Sequence, residues 1–184
     1  MKKGFTLLEL LIVIGIIAVL ASVVTVVLNP LELLRQARDS SRASDLASLN
    51  SALGLYLTSV TTGMSLGTTT NCNASSAVVL ATCTARHAGK TAMNSSVTRL
   101  TDGTGWIPVN IGAISGGSPL ASLPVDPTND ITSLFYSYSN TASTYELNAT
   151  FESIKYLTDM DLDGKDGGSS ITIYEIGTEP GLDI

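Results

Sequence analysis

The polarity pattern is most lopsided at the start of the chain. From Phe5 to Leu28 the only ionisable side chain is Glu9. At about 1.5 Å per residue a helix over that run measures roughly 36 Å, enough to cross a hydrocarbon core. Lys2 and Lys3 precede it, which predicts an N-terminus held on the cytoplasmic side and the remaining chain outside. Asn29 and Pro30 close the run; a proline within a helix removes a hydrogen bond and clashes with the preceding turn, so a kink is expected near Pro30. Beyond it Leu34, Ala37, Leu46, Leu49, Leu53, Leu57 and Val60 keep one apolar stripe at helical spacing. Arg35, Arg38, Asp39, Arg42 and Asp45 alternate in sign on other positions, as on a solvated or subunit-facing surface.

The helical pattern stops near Val60. Residues 61–77 are rich in Ser, Thr, Gly and Asn and predict a surface loop, followed by the short apolar run VVLATC. Trp106 opens WIPVNI, an extended segment that plants an aromatic ring in the core. GGSPLASLPVDPTND, with three prolines, predicts an ordered loop. From Phe135 the period becomes two: FYSYS, TYELNATF and ITIYEI alternate apolar with polar, predicting three antiparallel strands, each with one packed and one wet face. The stripe from Leu46 to Val60 supplies the cover such a sheet needs. The fold class is α+β, a long N-terminal helix, membrane-spanning in its first half, packed on a small antiparallel sheet.

Glu9 changes the picture of the first helix. A carboxylate in a membrane helix costs on the order of 2.5–3.5 kcal/mol and marks a function. Glu9 lies four residues after Phe5, so a cut between Gly4 and Phe5 would place a new α-ammonium one helical turn from it. A secretory signal peptide has a shorter apolar core, although VLA at Val19 to Ala21 suits a signal peptidase. A plain anchor leaves Glu9 without a purpose. The tetrapeptide MKKG, Gly4 before the cut, Phe5, Thr6 and Glu9 together resemble the N-terminus of type IV pilins and of the pseudopilins of type II secretion.

That resemblance implies a leader, residues 1–4, removed after Gly4 by a membrane-embedded prepilin peptidase, and N-methylation of Phe5. It implies that Glu9 helps draw a subunit from the bilayer into a growing filament. Residues 5–28 would be the transmembrane and filament-core helix, and 29–60 the amphipathic second half of that helix. Residues 61–134 would be the loop region between helix and sheet, and 135–184 the sheet with its acidic turn. The implied partners are further copies of the chain in a helical homopolymer, prepilin peptidase, and an inner-membrane assembly platform with its ATPase. The implied location is the inner membrane, single-pass with the C-terminal domain extracytoplasmic, and then a periplasmic or extracellular filament. The competing function is a monomeric membrane-anchored module that binds calcium or a partner.

Charge and cysteines add further expectations. Lys and Arg total 10 against 16 Asp and Glu, and losing Lys2 and Lys3 with the leader leaves 8 against 16, a net −8. After residue 100 only Lys155 and Lys165 oppose twelve carboxylates. Nucleic-acid binding rests on phosphate neutralisation and is not expected; Arg86, His87, Lys90 and Arg99 are the one basic neighbourhood outside the helix. Cys72 and Cys83, in a segment placed outside the membrane, predict one disulfide. A metal pair with His87 as third ligand matches no zinc spacing, and His87 is otherwise expected at the surface. Asp159, Asp161, Asp163 and Asp166 alternate around Gly164 as a calcium loop begins, but Ser170 stands where that loop's bidentate Glu belongs. Bound calcium and a solvated turn both remain open. No nucleophile elbow or phosphate loop is present, and no enzymatic role is expected.

Overall fold

A computed structural model describes residues 4–77, 83 and 86–184, with the side chains of 25, 26 and 28 outside that description. The basic flank Lys2 and Lys3, most of the leader and all but Cys83 of the run VVLATC lie outside the described residues. The chain divides into two compact units, Met1–Arg35 and Gln36–Ile184.

In the first unit, helix α1 (Leu7–Leu28) begins at an N-cap, Thr6, and ends at Asn29, whose φ of 39° is left-handed. Asparagine tolerates that conformation better than most residues with a side chain. Helix α2 (Pro30–Ser59) starts at Pro30, where a missing N–H costs nothing because the first-turn donors have no intrahelical partner. Glu32 N and Leu33 N donate to Asn29 O at 3.0 and 3.3 Å. The interruption expected at Pro30 therefore falls one residue earlier, and the proline opens the second helix instead of kinking a continuous one.

In the second unit, Leu46, Leu49, Ala52, Leu53 and Tyr56 of α2 are buried in one cluster with Tyr138, Tyr145, Leu147 and Ala149 of the sheet and with Tyr136 just ahead of it. Trp106, Ile107, Val109, Ile111 and Leu123 fill the same core, and Trp106 Nε1 donates to Pro124 O at 3.0 Å. The sheet has five strands in the order β2-β1-β3-β4-β5: β1 (Asn71–Ala74), β2 (Ala92–Ser95), β3 (Ser137–Asn140), β4 (Tyr145–Ala149) and β5 (Tyr174–Gly177). The three expected strands pair antiparallel, with Ser139 opposite Glu146 and Asn148 opposite Glu175.

Two features depart from expectation. First, β1 lies inside the stretch expected to be loop; it pairs antiparallel with β3 and parallel with β2, so the sheet is mixed. Four polar or small residues, NCNA, carry no β periodicity, and long-range pairing imposes the strand. Second, the face of the sheet away from α2 is not wet: Ser137, Ser139, Glu146 and Asn148 are buried. The segment after the disulfide covers it, with Asn148 Nδ2 donating to Arg86 O at 2.7 Å and Arg86 Nη1 donating to Phe135 O at 3.1 Å.

Candidate functional site

The site begins where α1 begins. Gly4, Phe5 and Thr6 precede the helix without regular structure, and a Cβ built on Gly4 would meet nothing within 4 Å. Phe5 is 83% exposed. Thr6 and Glu9 form a reciprocal cap: Thr6 N and Thr6 Oγ1 both donate to Glu9 Oε2 at 2.8 Å, and Glu9 N donates to Thr6 Oγ1 at 3.2 Å. Such a pair satisfies orphan donors at a helix start, where negative charge also suits the helix dipole. Glu9 Oε1 takes no part in these bonds. Thr6 is the residue whose role sequence reasoning left unassigned, although T-x-x-E ahead of an apolar run is the sequence signature of this cap.

Behind the cap, none of Leu7–Val24 is buried, and the stretch is long and apolar enough to cross a membrane. A continuous apolar surface of this size is normally covered by lipid or protein.

The other predicted residues lie in the second unit. Cys72 and Cys83 are joined in a disulfide, with Cα atoms 6.0 Å apart. His87, expected at the surface, is fully buried: its Nδ1 lies 2.9 Å from Ile184 O and 3.2 Å from Glu146 Oε1. The basic neighbourhood around it binds backbone. Arg86 also donates to Ser133 O, Lys90 Nζ donates to Thr69 O and Asn140 O at 2.8 and 2.7 Å, and Arg99 Nε donates to Leu123 O at 2.7 Å. Burial lowers the Arg86 guanidinium to about 10.

The four aspartates of the acidic turn are not gathered. Asp159 ends a short wide turn, Lys155–Asp159, and Asp161 Oδ2 sits 3.3 Å from Lys165 Nζ. Asp163 is buried, and its Oδ1 has no hydrogen-bond partner; burial pushes its carboxyl up, with Asp161 adding to the shift. Asp166 accepts from Gly168 N at 2.8 Å and Glu175 N at 2.7 Å. Among the described residues no three His, Cys, Asp or Glu side chains form a group that could hold a metal ion.

The structure also corrects two charges read as surface. Asp39 and Arg42 are fully buried. Arg42 meets Asp39 Oδ1 and Asp126 Oδ2 at 2.6 Å and Glu152 Oε2 at 2.7 Å, while Asp39 Oδ2 accepts from Ser153 N at 2.7 Å. Carboxylates on three chain segments hold this guanidinium charged and raise its pKa, although burial alone would lower it. The i,i+3 spacing of Asp39 and Arg42 fits an exposed helical ion pair equally well, so the sequence alone could not place them inside.

A family model described as the prokaryotic N-terminal methylation motif matches residues 1–25. A search of curated proteins and one of solved structures each found no match. The chain thus carries the prepilin-type motif of type IV pilins and pseudopilins. That motif implies processing by prepilin peptidase, self-assembly and a structural role, and with α1 it fits a membrane-anchored precursor.

Proposed function

We propose that the chain is the structural subunit of a type IV pilus-like or pseudopilus filament. Prepilin peptidase cuts after Gly4, Phe5 is N-methylated, and subunits leave the membrane through an assembly platform driven by an ATPase. The observation that carries this is the apolar stretch Leu7–Val24 of α1, none of it buried, with Glu9 held at its first turn. Lipid covers that surface in the precursor. In the filament, α1 helices of neighbours cover one another, which replaces lipid contacts with protein contacts. The α-ammonium released at Phe5 then pairs with a Glu9 carboxylate, in its own subunit or a neighbour's, which offsets the cost of a charge at membrane depth.

Co-expression with a prepilin peptidase and mass spectrometry of the mature chain tests the processing step. The expected product starts at N-methylated Phe5; a chain starting at Met1 or Ser22 overturns the proposal. Glu9→Ala tests assembly: filament yield should collapse while cleavage continues. A monomeric anchor would instead insert better without Glu9.

Calcium at the acidic turn is a separate proposal, supported by the unpartnered buried Oδ1 of Asp163. A bound ion would require Asp161 to leave Lys165 and turn toward Asp163. Calorimetry on the full chain in detergent should then register heat on adding millimolar calcium, and Asp163→Asn should abolish it. No heat removes the site.

A further inference from the structure

The face of the sheet away from α2 carries fully buried polar side chains, Ser137 and Ser139 on β3 and Glu146 and Asn148 on β4. The register sets Ser137 opposite Asn148 and Ser139 opposite Glu146, which brings the Cβ atoms of each pair to about 4.5–5.5 Å. Buried His87 lies against them, its Nδ1 3.2 Å from Glu146 Oε1. Ser137 Oγ, Ser139 Oγ, Glu146 Oε1, Asn148 Oδ1 and His87 Nε2 are all shielded from solvent, and none has a hydrogen-bond partner among the described residues. Buried polar atoms are normally satisfied. Five orphans around one pair of strands therefore need a common explanation.

Donors are what this face lacks. Asn148 Nδ2 donates to Arg86 O, so Asn148 Oδ1 can only accept. His87 Nδ1 donates to Ile184 O at 2.9 Å, which leaves Nε2 of the neutral ring a bare acceptor. Glu146 Oε2 accepts from Ile184 N at 3.1 Å, and the ionised Oε1 beside it also only accepts. Against these three acceptors the hydroxyls of Ser137 and Ser139 bring one proton each. No rotation of the side chains satisfies them all.

A cation is the weaker match, because the charge of Glu146 is already answered. Lys90 Nζ donates to the carbonyl of Asn140, the residue after Ser139. Burial lowers the pKa of that ammonium, and Glu146 works against the shift. A second positive charge would sit beside the first. Water is neutral, brings two donors, and when buried makes about three hydrogen bonds to otherwise unsatisfied groups. We propose that the seam between β3, β4 and the segment carrying His87 is a binding site for internal water. About two molecules bridge Ser139 to Glu146 and Ser137 to Asn148, and donate to His87 Nε2. The site stands independently of the filament reading.

Oxygen-17 relaxation dispersion of the solvent, recorded on the full-length chain in detergent, tests this. It counts water that tumbles with the protein, and it reads oxygen, so exchanging hydroxyl protons do not mimic the signal. Ser139→Ala removes one bridge. It should lower the dispersion amplitude by about one bound water and the thermal midpoint by about 2–4 °C, the scale of one net hydrogen bond in a domain of this size. Ser137→Ala should do the same at the other bridge, and it takes over the test if the first variant does not fold. A hydroxyl that held nothing would give the opposite sign, because deleting an unsatisfied buried atom removes its desolvation cost. A raised midpoint therefore overturns the proposal, as does an unchanged dispersion amplitude. The parent's midpoint should also be the same in sodium, potassium and tetramethylammonium chloride at equal ionic strength, with a calcium chelator present. A midpoint raised by sodium or potassium in the parent, and not in Ser139→Ala, would put a cation in the seam and overturn it too.

Discussion

Two carboxylates in the second unit are pushed in opposite directions, and together they set a pH profile. Asp130 is lowered to about 2: burial works against it, but the N–H groups of Ser133, Thr132 and Leu134 stabilise its charge. Its stabilisation is present above the ordinary value of 3.8 and is lost as pH falls toward 2. Glu175 is raised from 4.5 to about 7. The fold keeps its proton after the unfolded chain has released it, so stability falls as pH rises from about 4.5 to about 7. Asp163 and Asp166, also raised chiefly by burial, act in the same sense. The thermal midpoint should therefore peak near about pH 4–5 and decline on both sides. Glu175→Gln should flatten the neutral limb and leave the acid limb in place. A midpoint rising steadily from pH 4.5 to 7 in the parent would show that Glu175 is not held neutral by the fold.

At the scale of elements, α2 is secured at both ends of its buried stretch by different forces. Leu46 to Tyr56 pack apolar surface against the sheet, whereas Arg42 ties the helix to Asp126 and Glu152 through ions. Removing one partner of a buried ion network leaves the others uncompensated, typically at 3–5 kcal/mol. Arg42→Ala should lower the unfolding free energy obtained from denaturant curves by about that much, and a loss below about 1 kcal/mol, the value of surface pairs, would place the network in solvent. The Cys72–Cys83 link closes a loop of separation 11. Its replacement by two serines should cost about 3 kcal/mol in the chain-entropy account, read from the same unfolding curves. These elements also show where the sequence was legible. An unbroken apolar run marked α1, and periodicity marked the α2 stripe and the three strands with inward Tyr138, Tyr145 and Leu147, because each of those periodic patterns follows from one buried face. It failed at β1, whose strand state comes from pairing with β3 and β2. It failed also for Ser137, Glu146 and Asn148, because polar alternation reads as a wet face whether water or another segment lies on it. At the processing site Gly4, Phe5 and Glu9 could be read directly, since adjacent positions carry the whole motif. The buried ions around Arg42 could not, because Asp126 and Glu152 meet the helix only in the fold.

Over the whole molecule, apolar surface and acid are segregated by unit. Among the described residues, every member of the hydrophobic core belongs to the unit Gln36–Ile184, from Leu46 to Leu182, while the membrane-length stretch Leu7–Val24 contributes none. Buried residues of α2 begin only at Asp39, so a chain starting at Gln36 keeps every buried side chain of the second unit. It loses the charge of Glu9, the capped start of α1 and the first turns of α2. Stability should then reside in the remainder, since burial of apolar area is the main favourable term in folding. Exposed helical turns add only tenths of a kcal/mol each. Such a chain should remain in solution without detergent and unfold in one cooperative step. Its thermal midpoint should lie within about 4 °C of that of the full chain in micelles, the shift expected for about 1 kcal/mol in a domain of this size. Circular dichroism at 222 nm on heating decides it. A midpoint lower by about 10 °C, or a broad non-cooperative decline, would mean that α1 supplies folding energy to the second unit as well as its route into membrane and filament.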